Sequence, residues 1–242
     1  MIVSYDGTDF QGWQFQPHAP SVIQALQDAF ARVFGQPIKM LGASRTDAGV
    51  HALGQVAVFS TDLNLSTSRI MQVWNDALPP SIVIRNIVEV PETFHPMYGV
   101  KEKIYRYHFF LKRPLPFVER YGWYIRYPIN HDKLQSALNI FVGTHDFRSF
   151  CKGTEMGENT VRTIKSITLT YVRRYGAWCI EFKGPGFMRH MIRRIVGACL
   201  QVAAKEDLSV AYVQEVLGQK NPKQKLINAP AKGLCLYKIC YF

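Results

Sequence analysis

The sequence predicts an α+β fold with largely antiparallel sheet. Three observations lead there. Apolar segments of strand length are interrupted by segments of helical period, several neighbouring strands are joined by hairpin-like turns, and 48% hydrophobic content over 242 residues can bury a sizeable core. That length allows one large domain or two modest ones.

The elements follow in order. Ile2-Val3-Ser4-Tyr5 reads as a strand at the start. Ser21 is a good N-cap with Gln24 three residues on, and Val22, Ile23, Leu26, Ala29, Phe30 and Val33 recur at helical spacing until Gly35 closes the segment. Apolar runs at Ile38 to Leu41 and Val56 to Phe59 read as strands on either side of a polar break. A second helix covers Thr67 to Ala77, stopped by Pro79-Pro80, and strands follow at Ile82 to Val90 and Lys103 to Leu111. After the turn-rich Pro114 to Pro116 the order recurs. It runs through a helix over Asp132 to Val142, a hairpin of Arg162 to Val172 with Trp178 to Phe182, a long helix over Gly186 to Ala204, a short helix near Val210 to Leu217 and a last strand at Leu234 to Ile239. This twofold pattern divides the chain into halves 1–112 and 113–242, although no repeat is strong enough to prove duplication.

A formal net charge of +11 suggests a polyanionic partner or an anionic surface. From Thr160 to Gly197 the chain carries Arg162, Lys165, Arg173, Arg174, Lys183, Arg189, Arg193 and Arg194 against the single acid Glu181, so this segment is expected to face phosphate. The five cysteines lack C-x-x-C or zinc-type Cys/His spacing and read as buried reduced thiols. The opening strand has no leader-like character and no long uncharged apolar run follows, so a cytoplasmic location without membrane contact is expected. Neither a P-loop nor a Rossmann glycine fingerprint occurs, which argues against a nucleotide cofactor.

The polar break is Ala43-Ser44-Arg45-Thr46-Asp47-Ala48-Gly49-Val50-His51-Ala52, and it sets a carboxylate in a connecting loop, where function concentrates. This run closely resembles the catalytic loop of the tRNA pseudouridine synthase A family. Tyr5-Asp6-Gly7-Thr8-Asp9-Phe10-Gln11-Gly12-Trp13-Gln14 resembles that family's opening signature, and Ser21-Val22-Ile23-Gln24-Ala25-Leu26 its first helix. Lys103-Ile104-Tyr105-Arg106-Tyr107 is similar to the strand that supplies its active-site tyrosine. The blocks Gly143 to Phe150, Phe187 to Gly197 and Ala231 to Leu234 also resemble the family's, in its order. Departures are Ser44, where many members carry glycine, and the more basic Arg189 and Arg194.

The resemblance implies a pseudouridine synthase fold of two halves, each like an RNA-recognition fold, flanking a basic cleft. It implies isomerisation of uridine at positions 38, 39 and 40 in the anticodon stem-loop of tRNA, without cofactor or metal, by a homodimer in which one tRNA touches both subunits. That chemistry breaks the N1–C1′ bond, turns the uracil and joins C5 to C1′, a task suited to a carboxylate that attacks C1′ or stabilises an electron-poor sugar. Asp47 is the candidate nucleophile, and a glycal route, in which it removes a sugar proton, stays open. Arg193 matches the family arginine expected to keep that carboxylate ionised, and Tyr105 the ring expected to stack on uracil, with its hydroxyl available for proton removal at C5. Tyr107 shares the strand face of Tyr105. Arg45 is expected to grip the RNA backbone or help flip the nucleotide, and Leu234 to floor the pocket. His51 and His190 read as structural or RNA-contacting, and Arg189, Arg194 or both as arginines on a solvated helix face. The alternative readings are a non-catalytic RNA-binding module of the same fold and a nucleic-acid N-glycosidase.

Overall fold

A computed structural model describes residues 1–152 and 159–241, which form two compact units. The first is Met1–Lys101 with Cys235–Phe242, and the second is Glu102–Leu234. These bounds differ from a division at 112/113 by placing one whole predicted strand in the second unit and returning the end of the chain to the first.

In the first unit, β1 (Ile2–Tyr5) lies between β3 (His51–Phe59) and β4 (Ile82–Asn86), antiparallel to both, and β2 (Met40–Gly42) pairs antiparallel with β3. The chain's final strand, Leu234–Cys240, adds to β3 in parallel through Cys235 and Leu236. Helix α1 (Val22–Phe34) forms where the sequence places it. Ser21 Oγ accepts the Gln24 N–H, and Gly35, at φ 71°, donates its own N–H to Ala31. Val22, Ile23, Leu26, Ala29 and Phe30 are buried, while Val33 reaches the surface. Helix α2 (Thr67–Ala77) is tied to α1 by Trp74, whose indole N–H donates to the Leu26 carbonyl at 3.0 Å. The Trp74 ring meets Phe30 and Phe59 edge-on at 4.8 and 5.1 Å, so an aromatic cluster joins both helices to the sheet.

In the second unit, β5 (Glu102–Phe110) begins a sheet; after a short helix α3 (Pro116–Glu119), β6 (Trp123–Tyr124) pairs in parallel with β5. Next come α4 (His131–Asn139), β7 (Gly143–Asp146), β8 (Val161–Ile164), β9 (Ser166–Val172) and β10 (Ala177–Gly184). The order β5-β10-β9 is antiparallel throughout, and β7-β8 is a separate antiparallel pair. Helix α5 (Met191–Ala204) supplies the core, with every residue from Ile195 to Leu200 buried, and α6 (Ala211–Gln219) follows it. Both units are therefore α+β with mostly antiparallel sheet.

Several predicted elements differ from those observed: the strand expected at Val56 to Phe59 begins at His51, and the helix expected to reach Val142 ends at Asn139. The long helix starts at Met191 rather than Gly186, because His190 sits at φ 63° and a left-handed residue cannot propagate a right-handed helix. The strand predicted over 162–172 breaks at Lys165, whose N–H donates to Lys183 at 2.7 Å while β8 turns aside to pair with β7. The strand from Ile82 ends at Asn86, opposite Ile2, where β1 runs out of residues to pair with it. The short strand β7 was not among the predicted elements; its Gly143-Thr144-His145-Asp146 has no apolar alternation to announce it.

Candidate active site

Asp47 lies in the loop between β2 and β3, half-buried, and residues 5–13 hold that loop from behind. Trp13 N–H donates to the Thr46 carbonyl at 3.2 Å, Gly49 N–H to Phe10 at 3.1 Å, and the Tyr5 hydroxyl meets the Thr46 hydroxyl at 2.8 Å. Asp47 itself accepts the Val50 N–H through its carbonyl at 3.1 Å, closing a turn that Gly49 completes at φ 74°. On the other side, the fully buried Gln55 clamps Ser44 twice, accepting from its N–H at 3.2 Å and donating to its carbonyl at 2.6 Å. The two sequence signatures, residues 5–14 and 43–52, are thus one packed structure. Space is the physical reason: a Cβ on Gly7 would stand 2.0 Å from the Val50 carbonyl oxygen, and one on Gly12 2.4 Å from that of Thr46. Arg45 is exposed on the same loop. His51 is buried, and its Nδ1 accepts the Gly7 N–H at 3.0 Å. Asp6 Oδ1 lies 3.1 Å from the same nitrogen, ready to pair with the ring when it is protonated.

Tyr105, Arg193 and Leu234 belong to the second unit. Tyr105 is buried on β5 with its ring edge-on to Phe187 at 5.3 Å. Lys103, Tyr105 and Tyr107 share one face of the strand by its period of two. Burial pushes the Lys103 ammonium down from 10.5 to about 8. Burial also pushes the Tyr107 hydroxyl well above the usual range, and the positive charge of Arg193 opposes that shift, which sets Arg193 within electrostatic reach of this strand face. Tyr107 donates its hydroxyl proton to the Pro230 carbonyl at 3.0 Å, and its ring packs where a Cβ on Gly233 would be, one residue before the buried Leu234.

Arg193 is half-buried in the first turn of α5, and its Nε–H donates to the Ala229 carbonyl at 2.7 Å while Ala229 N–H returns a bond to the Arg193 carbonyl at 3.1 Å. Arg189 is exposed, in the turn before α5 rather than on a helix face, and Arg194 does not lie on a solvated face. Arg194 is turned inward, donating to the carbonyls of Cys151 at 2.7 Å and Ser149 at 3.3 Å. His190 stands at the N-cap position of α5 without a side-chain capping bond, and its Nδ1 meets Asn228 Nδ2 at 2.9 Å. The basic run also divides. Arg162 binds the carbonyls of Asn159 and Val161, Lys165 pairs with Glu102 and Lys183 with Glu181, whereas Arg173 and Arg174 stand exposed at the β9–β10 turn. Several charges of the run thus also bond to the protein itself.

Lys103 escaped the sequence reading, although its place two residues before Tyr105 on one strand face was a usable signal. Gln55 escaped it as well, since a lone glutamine inside a strand carries no motif. Among the described residues, no group of three or more metal-ligating side chains occurs and no helix is long and apolar enough to cross a membrane.

The chain belongs to the tRNA pseudouridine synthase family, whose pattern matches residues 1–99 and 137–241. It is 36% identical to tRNA pseudouridine synthase A of a Thermoanaerobacter species, covering 100% of this chain and 98% of that one. The enzymes of the same name from Pseudothermotoga lettingae and Brevibacillus brevis are 37% and 38% identical, each over at least 97% of both chains. Among solved structures, a chain of a Cbf5-Nop10-Gar1 complex aligns with 83% of this chain and 54% of its own at 11% identity and a TM-score of 0.36, too distant for its geometry to be carried across.

Proposed function

We propose that this chain isomerises uridine to pseudouridine at positions 38, 39 and 40 of the tRNA anticodon stem-loop, with Asp47 as the nucleophile. The observation that carries the reading is the similarity over the full chain to enzymes named tRNA pseudouridine synthase A, together with a rigidly braced aspartate loop. In the reaction the Asp47 carboxylate attacks C1′ as the N1–C1′ bond breaks. Uracil then turns and C5 attacks C1′, displacing the Asp47 carboxylate as that C1′–O bond breaks; the proton on C5 leaves and N1 gains one, so the product has the atoms of the substrate. A glycal route would use the same carboxylate as a base toward the sugar. Tyr105 is assigned the stacking face that holds the detached base, Leu234 an apolar floor, and Arg193 the positive charge at the reacting centre. Arg45, exposed beside Asp47, is assigned the backbone of the flipped nucleotide. A cytoplasmic homodimer completes the reading, and a mass measurement in solution tests it: a fully active monomer would remove the dimer.

The reaction is tested with tRNA carrying uridine tritiated at C5. Label should pass to water in the presence of chelator, without nucleotide or reductant, and tRNA mass should not change. Asp47→Ala should abolish release while tRNA affinity stays within about tenfold, because one carboxylate contributes little to an extended cationic interface. Free uracil would indicate a hydrolase, and binding without release would indicate a non-catalytic RNA-binding module.

A further inference from the structure

The second unit carries a cleft of about 780 Å³ lined by Arg113, Pro114, Pro116, Glu119, Tyr124 and Arg126. Its residues lie outside the segments that the family pattern matches. Three features fit it to a polyanion. Arg113 and Arg126 are exposed, and a guanidinium presents a planar fork of donors that suits phosphate oxygens. The Arg126 guanidinium stands over the Tyr124 ring at 5.8 Å, which orients that fork and leaves its edge for a ligand. The one carboxylate of the cleft, Glu119, is paired with Lys232, which offsets its charge toward an anion. Phe117, 86% exposed on α3 beside the cleft, adds an aromatic surface of the kind on which an unpaired base stacks.

The cleft is also distant from the tyrosine of the uridine site along the chain. From Tyr105 to Phe110 the strand rises about 17 Å, at roughly 3.4 Å per residue, before the chain reaches Arg113. We propose that this cleft is a second tRNA-binding site, in which Arg113 and Arg126 hold two backbone phosphates of a part of the tRNA outside the anticodon stem-loop. The inference rests on tRNA being the substrate. Its role is to add affinity and register for the whole tRNA, leaving the chemical step untouched.

The test uses the full chain and the double variant Arg113→Gln/Arg126→Gln, with two RNAs, whole tRNA and the isolated anticodon stem-loop. Each phosphate contact contributes about 0.9 to the salt slope, so losing two should flatten the log–log slope for whole tRNA by about 1.8 and weaken binding roughly 30-fold near 0.15 M salt. KM for whole tRNA should rise in step, kcat should stay within about twofold, and stem-loop binding should not change. Unchanged affinity for whole tRNA would overturn the proposal, as would equal weakening toward the stem-loop. A changed molecular mass in solution with tRNA affinity intact would assign the cleft to a second copy of the chain instead. If the wild-type protein releases no tritium, the isomerase reading fails, while the binding comparison still decides the cleft.

Discussion

Gly12→Ala is the most direct probe of how the N-terminal segment holds Asp47. Gly12 adopts φ +94°, and a Cβ there would stand 2.4 Å from the Thr46 carbonyl oxygen and 3.2 Å from the Asp47 carbonyl carbon. Ordinary contact begins at 3.4 Å, so the Thr46 carbonyl must retreat by about 1 Å, and it cannot do so without loosening its 3.2 Å bond from Trp13 N–H. Asp47 is the next residue and moves with it. A displacement of about 1 Å can cost roughly 100-fold in rate. Backbone strain of about 1–2 kcal/mol and a weakened hydrogen bond of about 1 kcal/mol bring the stability cost to about 2–3 kcal/mol, or a fall in Tm of roughly 4–12 °C. The protein stays folded, since domains have about 5–15 kcal/mol in hand. Gly35→Ala is the control: φ is again positive, at 71°, but nothing lies within 4 Å of the added Cβ, so it should cost about 1–2 kcal/mol and no turnover. The assay is single-turnover tritium release beside thermal melting and tRNA binding. A folded Gly12→Ala protein with turnover within threefold of wild type would refute the bracing argument. So would an equal loss in Gly35→Ala, because strain rather than crowding would then be the cause.

Two further outcomes follow from neighbouring charges. Arg194→Met removes charged donors from the carbonyls of Ser149 and Cys151 and should cost about 1.5–3 kcal/mol, seen as a lower Tm with kcat within about twofold; a rate loss without a change in melting would contradict a structural role. Lys103 is a base whose folded pKa is depressed from 10.5 to about 8, so between those values the unfolded chain holds a proton that the folded chain has released, and stability rises with pH across that window. Lys103→Met should therefore be most stabilising relative to wild type below pH 8, with the difference shrinking toward pH 10.5 in paired melts, and a pH-independent difference would show that the lysine is not held in a desolvated site.

Local signals were legible in the sequence and long-range ones were not. Helix α1 could be read to its ends because its determinants are local: a serine cap, a glycine stop and an apolar stripe between them. Asp47 could be singled out by its loop and its resemblance, but not the reason for its position, since Gly12, Trp13 and Gln55 act through contacts whose distance in sequence hides them. The same limit explains the misplaced start of α5 and the break at Lys165. A helical pattern does not reveal a left-handed His190, and an apolar run does not reveal that Lys165 bonds to Lys183 while the strand before it turns to another partner.

Arg193 and Arg194 show how that hidden context gives identical side chains different surroundings. Adjacent residues on a helix point about 100° apart, so two identical side chains enter different surroundings. Arg194 meets the carbonyls that end the 3-10 turn at Arg148–Phe150 and is consumed by them. Arg193 meets Ala229, which bonds to its backbone and to its Nε together, so the guanidinium plane is fixed from one edge. An arginine held through Nε directs its two terminal nitrogens in one orientation while keeping its charge, which a lysine in the same place could not do. That geometry suits a group whose work is to present charge in a set direction, and it separates the two arginines in a way that their sequence context does not.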